Sequence, residues 1–290
     1  MYLSYSGFKT FSRCPRAYFY KYIEKPPLVR PYNAVHALYG DTVGRIFELF
    51  YRDRIWLHKD VQQRLLALVR PTLNFIIERE TKKGCVFNWN EPQLKSGNRS
   101  LAEVEEEVRL TIPRGVKIIK HHRLIGVKAD AEVVLDTFIG KHKIAGRSDI
   151  IVQRITYNDL ALIDGKGSRW RDKYVDVRQL LWYALLYWLK FGVIPDQLGF
   201  LYWRSDELET SVDWHTVTAQ SLKKFEKLIL DTINTIESAQ RDEIFLAVCN
   251  DDCHLCEYGV TCPEYRDTQK IKDQIHNDMK SGVEEGDISF

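Results

Sequence analysis

Apolar side chains recur at helical spacing through the first third of the chain, then give way to short strand-like runs in the middle. Residues 7–13 read as a helix with Ser6 as N-cap. Residues 15–24 read as a second, opened by Pro15 and carrying Tyr18, Phe19, Tyr22 and Ile23 on one face. Pro26-Pro27 ends it. A third helix over 40–52 turns Val43, Ile46, Phe47 and Phe50 inward, and 61–80 follows the same period despite Pro71. Residues 81–99, rich in Lys, Gly, Asn and Pro, read as a loop, and Ser100-x-x-Glu103 has the form of a capping box opening a helix to about residue 110.

Strand patterns then occupy 126–135, 144–153 and 160–164, with Tyr157-Asn158-Asp159 as the turn between the last two. An aromatic-rich buried helix is expected over 175–190, a strand over 198–203 and an amphipathic helix over 222–236. Strands in the middle with helices on both sides predict an α/β layer architecture. The 175–190 helix then crosses over between the strands at 160 and 198. The expected organisation is one domain over 1–267 and a polar tail over 268–290. Within the domain come a helical part (about 5–110), a sheet (about 115–205) and a C-terminal helix with a cysteine cluster (about 215–267).

Composition changes this picture little. An apolar fraction of 44% in 290 residues supports a sizeable core, and a net charge of +2 means any nucleic-acid contact must come from local basic patches. The opening Met1-Tyr2-Leu3-Ser4 lacks the basic start and apolar core of an export signal. The apolar run over 180–189 is too short to span a bilayer. The expectation is a cytoplasmic protein with no membrane partner. Six cysteines, four of them within fourteen residues (Cys249, Cys253, Cys256, Cys262), suit metal ligation better than a disulfide scaffold.

The pattern Asp/Glu-x-Lys occurs three times. Glu80-Thr81-Lys82 closes a charged helix and Asp278-Met279-Lys280 lies in the polar tail, where solvated charge is the better reading. Only Asp164-Gly165-Lys166 ends an apolar strand and follows a second strand that carries its own acid, Asp149. Adjacent strands place such groups side by side. Magnesium needs one or two carboxylates plus further oxygens, which Asp149, Asp164 and the Gly165 carbonyl can supply. Lys166 then orients or deprotonates an attacking water and offsets phosphate charge. The alternative is that Lys166 merely neutralises two surface aspartates. Gln179 and Tyr183, at i and i+4, share one helical face.

Gly146-Arg147-Ser148-Asp149, Ile163-Asp164-Gly165-Lys166 and Gln179-x3-Tyr183 together resemble the ordered motifs of the PD-(D/E)xK nuclease superfamily, in its RecB-like branch. Ser6-x7-Cys14-Pro15-Arg16-Ala17-Tyr18 resembles that branch's opening motif, and Gly40 to Glu48 its next helix; the likeness covers about half the chain. The resemblance implies a restriction-endonuclease-like mixed sheet flanked by helices, with catalytic roles for Asp149, Asp164, Lys166, Gln179 and Tyr183. It implies magnesium or manganese held by Asp149, Asp164 and Gly165. One departure stands out: many relatives carry a metal-binding histidine where this chain has Gly44. Glu48, one turn on, could substitute or bind through water, while His36 is expected in the preceding loop.

Cys253-x2-Cys256-x5-Cys262 supplies three thiolates, with either Cys249 or Cys14 as the fourth ligand. Chain proximity points to Cys249. The family resemblance points to Cys14 and a [4Fe–4S] cluster joining the N- and C-terminal segments, as in CRISPR-associated adaptation nucleases, AddB-type nucleases and the exonuclease V family. Zinc is the alternative metal, and Cys85 has no partner in the sequence pattern. Arg169, Trp170, Arg171 and Lys173 alternate cations with aromatics, a pattern suited to phosphates and unpaired bases. Lys117, Lys120, His121, His122, Arg123 and Lys128 read as an ordinary solvated loop.

These features lead to a metal-dependent DNA exonuclease acting on single strands or ends, in recombination, repair or CRISPR-adaptation-like processing, of prokaryotic or phage origin. A catalytically weakened DNA-binding subunit of a larger complex is the alternative. A dimeric sequence-specific endonuclease is weaker still, for want of a recognition domain. No phosphate-binding Gly-x4-Gly-Lys-Ser/Thr loop occurs, so any helicase would be a separate protein partner.

Overall fold

The computed structural model describes residues 1–26, 34–89, 100–126, 129–167, 175–250, 253, 256–259 and 261–268. They divide into two compact units, Met1–Tyr5 with Tyr32–Asp231 and Ser6–Pro31 with Thr232–Phe290.

The first unit is built on a mixed six-stranded sheet: β1 (Tyr2–Ser4), β2 (Ala129–Ile139), β3 (His142–Arg154), β4 (Asp159–Lys166), β5 (Gln197–Tyr202) and β6 (Val212–His215). β2 and β3 form an antiparallel hairpin across the two-residue turn Gly140-Lys141, where Gly140 takes φ +57°. On its other edge β3 has two successive partners. Parallel β1 covers Lys143 to Ala145, and antiparallel β4 begins at Ile150. Residues 146–149 lie at the fork between them, which leaves the end of that segment open to side-chain chemistry. β4 and β5 are parallel, joined as expected by the crossover helix α7 (Val177–Phe191), and β6 closes the far edge antiparallel to β5.

Helices α3 (Val35–Arg52), α5 (Val69–Lys82) and α6 (Leu101–His121) pack with one face of the sheet around a core that includes Ile46, Phe47, Leu73, Ile112, Ile150, Ile163 and Trp203. Phe47 and Trp203 stack with ring centroids 4.2 Å apart. Helix α7 packs against β2 to β5 through Trp182, whose indole N–H donates to the Ala145 carbonyl at 3.1 Å.

Several boundaries differ from the sequence reading, each for a local reason. Helix α3 begins at Val35, so the backbone of His36 is helical and not loop. Gly40 does not open the helix. It sits inside, where a Cβ on Gly167 would come within 2.8 Å of the Gly40 Cα. The 61–80 helix is two, α4 (Val61–Ala67) and α5, divided at Leu68, which places Pro71 in the first turn of α5, where its missing N–H costs nothing. The capping box at Ser100 is formed, with Glu103 N–H donating to Ser100 Oγ at 3.2 Å and Ser100 N–H to Glu103 Oε2 at 2.6 Å. Its helix runs on through Pro113 to His121, because Val108, Ile112, Val116 and Ile119 continue one buried face. Lys117, Lys120 and His121 therefore lie on a helix. The His122 ring is buried, with Nε2 2.8 Å from the Leu208 carbonyl. Lys128 lies outside the described residues. β1 and β6, three and four residues long, are too short to leave a pattern.

The second unit ties N-terminal helices to C-terminal chain. Helix α1 (Tyr5–Arg13), most of which belongs here, is followed by α2 (Pro15–Tyr18) and a π-helical stretch (Phe19–Glu24). Arg16 N–H donates to the Leu246 carbonyl at 3.1 Å, its Nε to the Phe245 carbonyl at 2.7 Å, and Phe19 packs on Phe245 at 5.0 Å. Helix α8 (Ala219–Arg241) precedes this segment. No described helix is long and apolar enough to cross a membrane.

Candidate active site

Two groups of side chains meet where β3 leaves β1 and joins β4. On β4, Asp164 and Lys166 project to the same face by strand alternation, and α7 is set above them. The start of α7 is fixed by Asp176 as N-cap, accepting from the Arg178 N–H at 3.1 Å. Gln179 is thereby held over the strand. Its amide Nε2 donates to Asp164 Oδ1 at 2.8 Å, and its Oε1 accepts from Lys166 Nζ at 2.8 Å. The two contacts orient the amide unambiguously, since a carboxylate accepts and an ammonium donates. Lys166 Nζ also lies 2.6 Å from Asp164 Oδ2, and Gln179 Nε2 lies 3.2 Å from the Tyr183 hydroxyl one turn on.

Asp149 stands at the fork itself. Its Oδ2 accepts from the backbone N–H of Gly165 at 2.8 Å. Burial and the neighbouring Asp164 carboxylate raise its pKa well above the ordinary carboxylate range, against the opposing Gly165 hydrogen bond. Burial and the same Asp164 charge raise the Tyr183 phenol.

A small cavity opens beside Asp149, bounded by Gly44 and Glu48 of α3, Glu132 of β2, Gly165 of β4 and Trp203. Gly165 is required here: a Cβ would lie 2.8 Å from the Trp203 indole nitrogen. Glu48 reaches this cavity, but its carboxylate is paired with Arg45 and lies 3.9 Å from Arg52. Gly44 leaves open space, with nothing within 4 Å of an added Cβ.

The structure thus brings Asp149, Asp164, Gly165, Lys166, Gln179 and Tyr183 together, with Glu48 across the cavity. Arg169, Trp170, Arg171 and Lys173 lie outside the described residues. Sequence reasoning missed Glu132, which stands between the register pairs Ala131–Ile150 and Val133–Ser148, level with Asp149. Counting outward from the Gly140-Lys141 turn would have found it.

Within the second unit, Cys14, Cys249, Cys253, Cys256 and Cys262 line one small cavity. Backbone N–H groups point at two of the sulfurs, Val248 to Cys14 Sγ at 3.4 Å and Asn250 to Cys253 Sγ at 3.3 Å. Burial raises the Cys262 thiol to about 11, aided by Glu264, and raises Cys256 as well. Among the described residues, at this cavity and around Asp149 alike, no three His, Cys, Asp or Glu donors already stand at metal-binding spacing. His254 is outside those residues.

Residues 2–263 match the family model of the PD-(D/E)XK nuclease superfamily, and the chain belongs to that superfamily. Its restriction-endonuclease-like fold, a mixed sheet flanked by helices, agrees with this. Among solved structures, a candidate exonuclease from Eubacterium rectale is similar at 14% identity, with a TM-score of 0.49 and 87% of each chain covered. The protein SSO0001 is similar at 15% identity and a TM-score of 0.34, over 79% of this chain and 96% of that one. Both scores lie below 0.5, so membership rests on the sequence match. No curated protein matches the chain.

Proposed function

We propose that this nuclease is a metal-dependent deoxyribonuclease of the RecB-like branch, digesting DNA from ends or as single strands. The observation that carries the reading is the linked set Asp149–Gly165 and Asp164–Gln179–Lys166 at one fork of the sheet.

The donor set fits magnesium or manganese: the Asp149 carboxylate borders a cavity and the Asp164 carboxylate lies close enough to act on its charge. Asp149, Asp164 and the Gly165 carbonyl would hold the ion, with Glu48 acting through water because its carboxylate is engaged by arginines. When bound, such an ion polarises a phosphoryl oxygen and acidifies a water. Lys166, whose Nζ is held between Asp164 and Gln179, would orient the attacking water and offset developing charge on the phosphate. Gln179 is a positioning residue: it fixes Lys166 relative to Asp164, and Tyr183 supports it from below.

The thiol cavity supports a [4Fe–4S] cluster on Cys14, Cys253, Cys256 and Cys262. Backbone N–H donors to sulfur are what a cluster's thiolates use, and Cys14 lies on the same cavity as the C-terminal cysteines. Its role would be to hold two distant chain segments together, since phosphodiester hydrolysis transfers no electrons.

Incubating end-labelled single- and double-stranded DNA with magnesium or manganese tests this reading. The parent should shorten the DNA progressively, and Asp149→Ala and Lys166→Ala should not. Activity surviving both substitutions would reject the site. DNA binding without cleavage by the parent would favour the weakened-subunit alternative, which the absent histidine at Gly44 keeps in view.

A further inference from the structure

We propose that Glu132 is a direct metal ligand of this site, reaching from the sheet into the cavity that Gly44 borders without a side chain. The proposal rests on the nuclease reading above and adds a residue to it.

Three observations converge. First, Glu132 is level with Asp149 across the hairpin, and its side chain borders the same cavity as Asp149, Gly44 and Gly165. Cross-strand neighbours on one face are the natural way for two strands to present two carboxylates to one ion. Second, its backbone is out of place for its residue type. Glu132 takes φ +54° in the middle of an eleven-residue strand, a left-handed conformation that glycine adopts freely and a β-carbon resists. The hairpin keeps one-to-one register on either side, so no inserted residue forces the turn. Strain of this kind persists where the surroundings or a function require that side chain in that direction.

Third, the other carboxylate at the cavity is less available. Glu48 is held by Arg45, with Arg52 nearby. Glu132 contacts Arg147 at 3.1 Å, but the Arg147 side chain is 63% exposed and can swing into solvent when an ion arrives. Glu132 would join Asp149 at the cavity, with Asp164 on the next strand; no three such donors among the described residues already stand at metal-binding spacing, so the carboxylates would have to draw together as the ion binds.

The test is manganese binding to the full chain without DNA, by calorimetry or electron paramagnetic resonance, for the parent and for Glu132→Gln, Glu132→Gly, Glu48→Gln and Asp149→Ala. Losing a direct ligand should weaken affinity in Glu132→Gln by at least about 10-fold, while Glu48→Gln stays within about 3-fold of the parent. Glu132→Gly separates binding from folding. It relieves the left-handed backbone, so its metal-free melting temperature should not fall, yet its manganese affinity should drop as in Glu132→Gln. Filling the open space should compensate: Gly44→His combined with Glu132→Gln should regain most of the lost affinity.

Parent-like binding by both Glu132 variants, with binding lost in Asp149→Ala, would overturn the role of Glu132 and leave the nuclease site standing. A parent that binds no manganese, or an Asp149→Ala that binds it unchanged, would overturn both.

Discussion

The backbone N–H of Gly165 donates to Oδ2 of Asp149 at 2.8 Å, so a side chain of β3 satisfies a β4 amide at the point where the two strands separate. Ladder pairing between them begins only at Ile150–Ile163. A buried N–H left without an acceptor costs about 1–3 kcal/mol, so the carboxylate proposed to hold the metal also helps close the sheet. Structure and chemistry share this atom, and substitutions at the fork should register in both.

Gly165→Ala should be among the more damaging single-methyl additions in the molecule. The new Cβ would meet the Trp203 indole at 2.8 Å, and Trp203 cannot retreat because it is stacked on Phe47. Urea unfolding should report a loss of about 1–3 kcal/mol, with cleavage reduced as the strand shifts.

Gln179→Ala should lower kcat by about 10- to 100-fold with little change in KM for DNA, since both ends of the amide are taken up by Lys166 and Asp164. A parallel rise in KM would point to a role in binding instead. Gln179→Glu should be no rescue, because it places an acceptor against Asp164 where a donor is needed.

Burial and Asp164 raise the Asp149 carboxyl in the folded state, so the native protein holds that proton more tightly than the unfolded chain. Without metal, stability should therefore fall as pH rises from the ordinary value of 3.8 toward the raised pKa. Urea titrations across that range in chelator should show this decline, and Asp149→Asn should flatten it. Manganese should reverse the slope, because the ion binds the deprotonated carboxylate and releases its proton.

The opposite sign applies to Asp176. Burial works to raise this carboxyl, but hydrogen bonds from Arg178 and Tyr5 outweigh it and bring the pKa down to about 2. Its contribution is present above 3.8 and is lost as pH falls through about 2. Asp176→Ala should cost about 1 kcal/mol at neutral pH through loss of the cap, and the variant and parent should converge near the acid limit.

For the cysteines, anaerobically purified parent should be brown, and Cys14→Ser should lose both colour and bound iron while Cys249→Ser keeps them. Colourless, zinc-loaded parent would refute the cluster.

Much of the site was legible in the sequence because strand alternation and helical spacing are local rules. Asp164 and Lys166 two apart, and Gln179 and Tyr183 four apart, fix their faces without further information. The Ser100 capping box was legible for the same reason. What escaped depended on distant chain. Gly40 reads as a helix boundary until Gly167 is seen against it, and the helix from Leu101 reads as ending near 110 until its buried face is followed past Pro113. Glu132 escaped because its importance comes from hairpin register and an unusual φ, neither of which shows in residue type. β1 pairs with residues 143–145, some 140 positions away, and three residues carry no period.

The central claim is that Asp149 and Lys166 act in one centre, and a double-substitution cycle on DNA cleavage tests it most directly. If they serve the same step, each single alanine variant should lose at least about 100-fold in rate and the double variant should be little worse than either. Losses that multiply in the double variant, or near-parent rates in either single one, would contradict it.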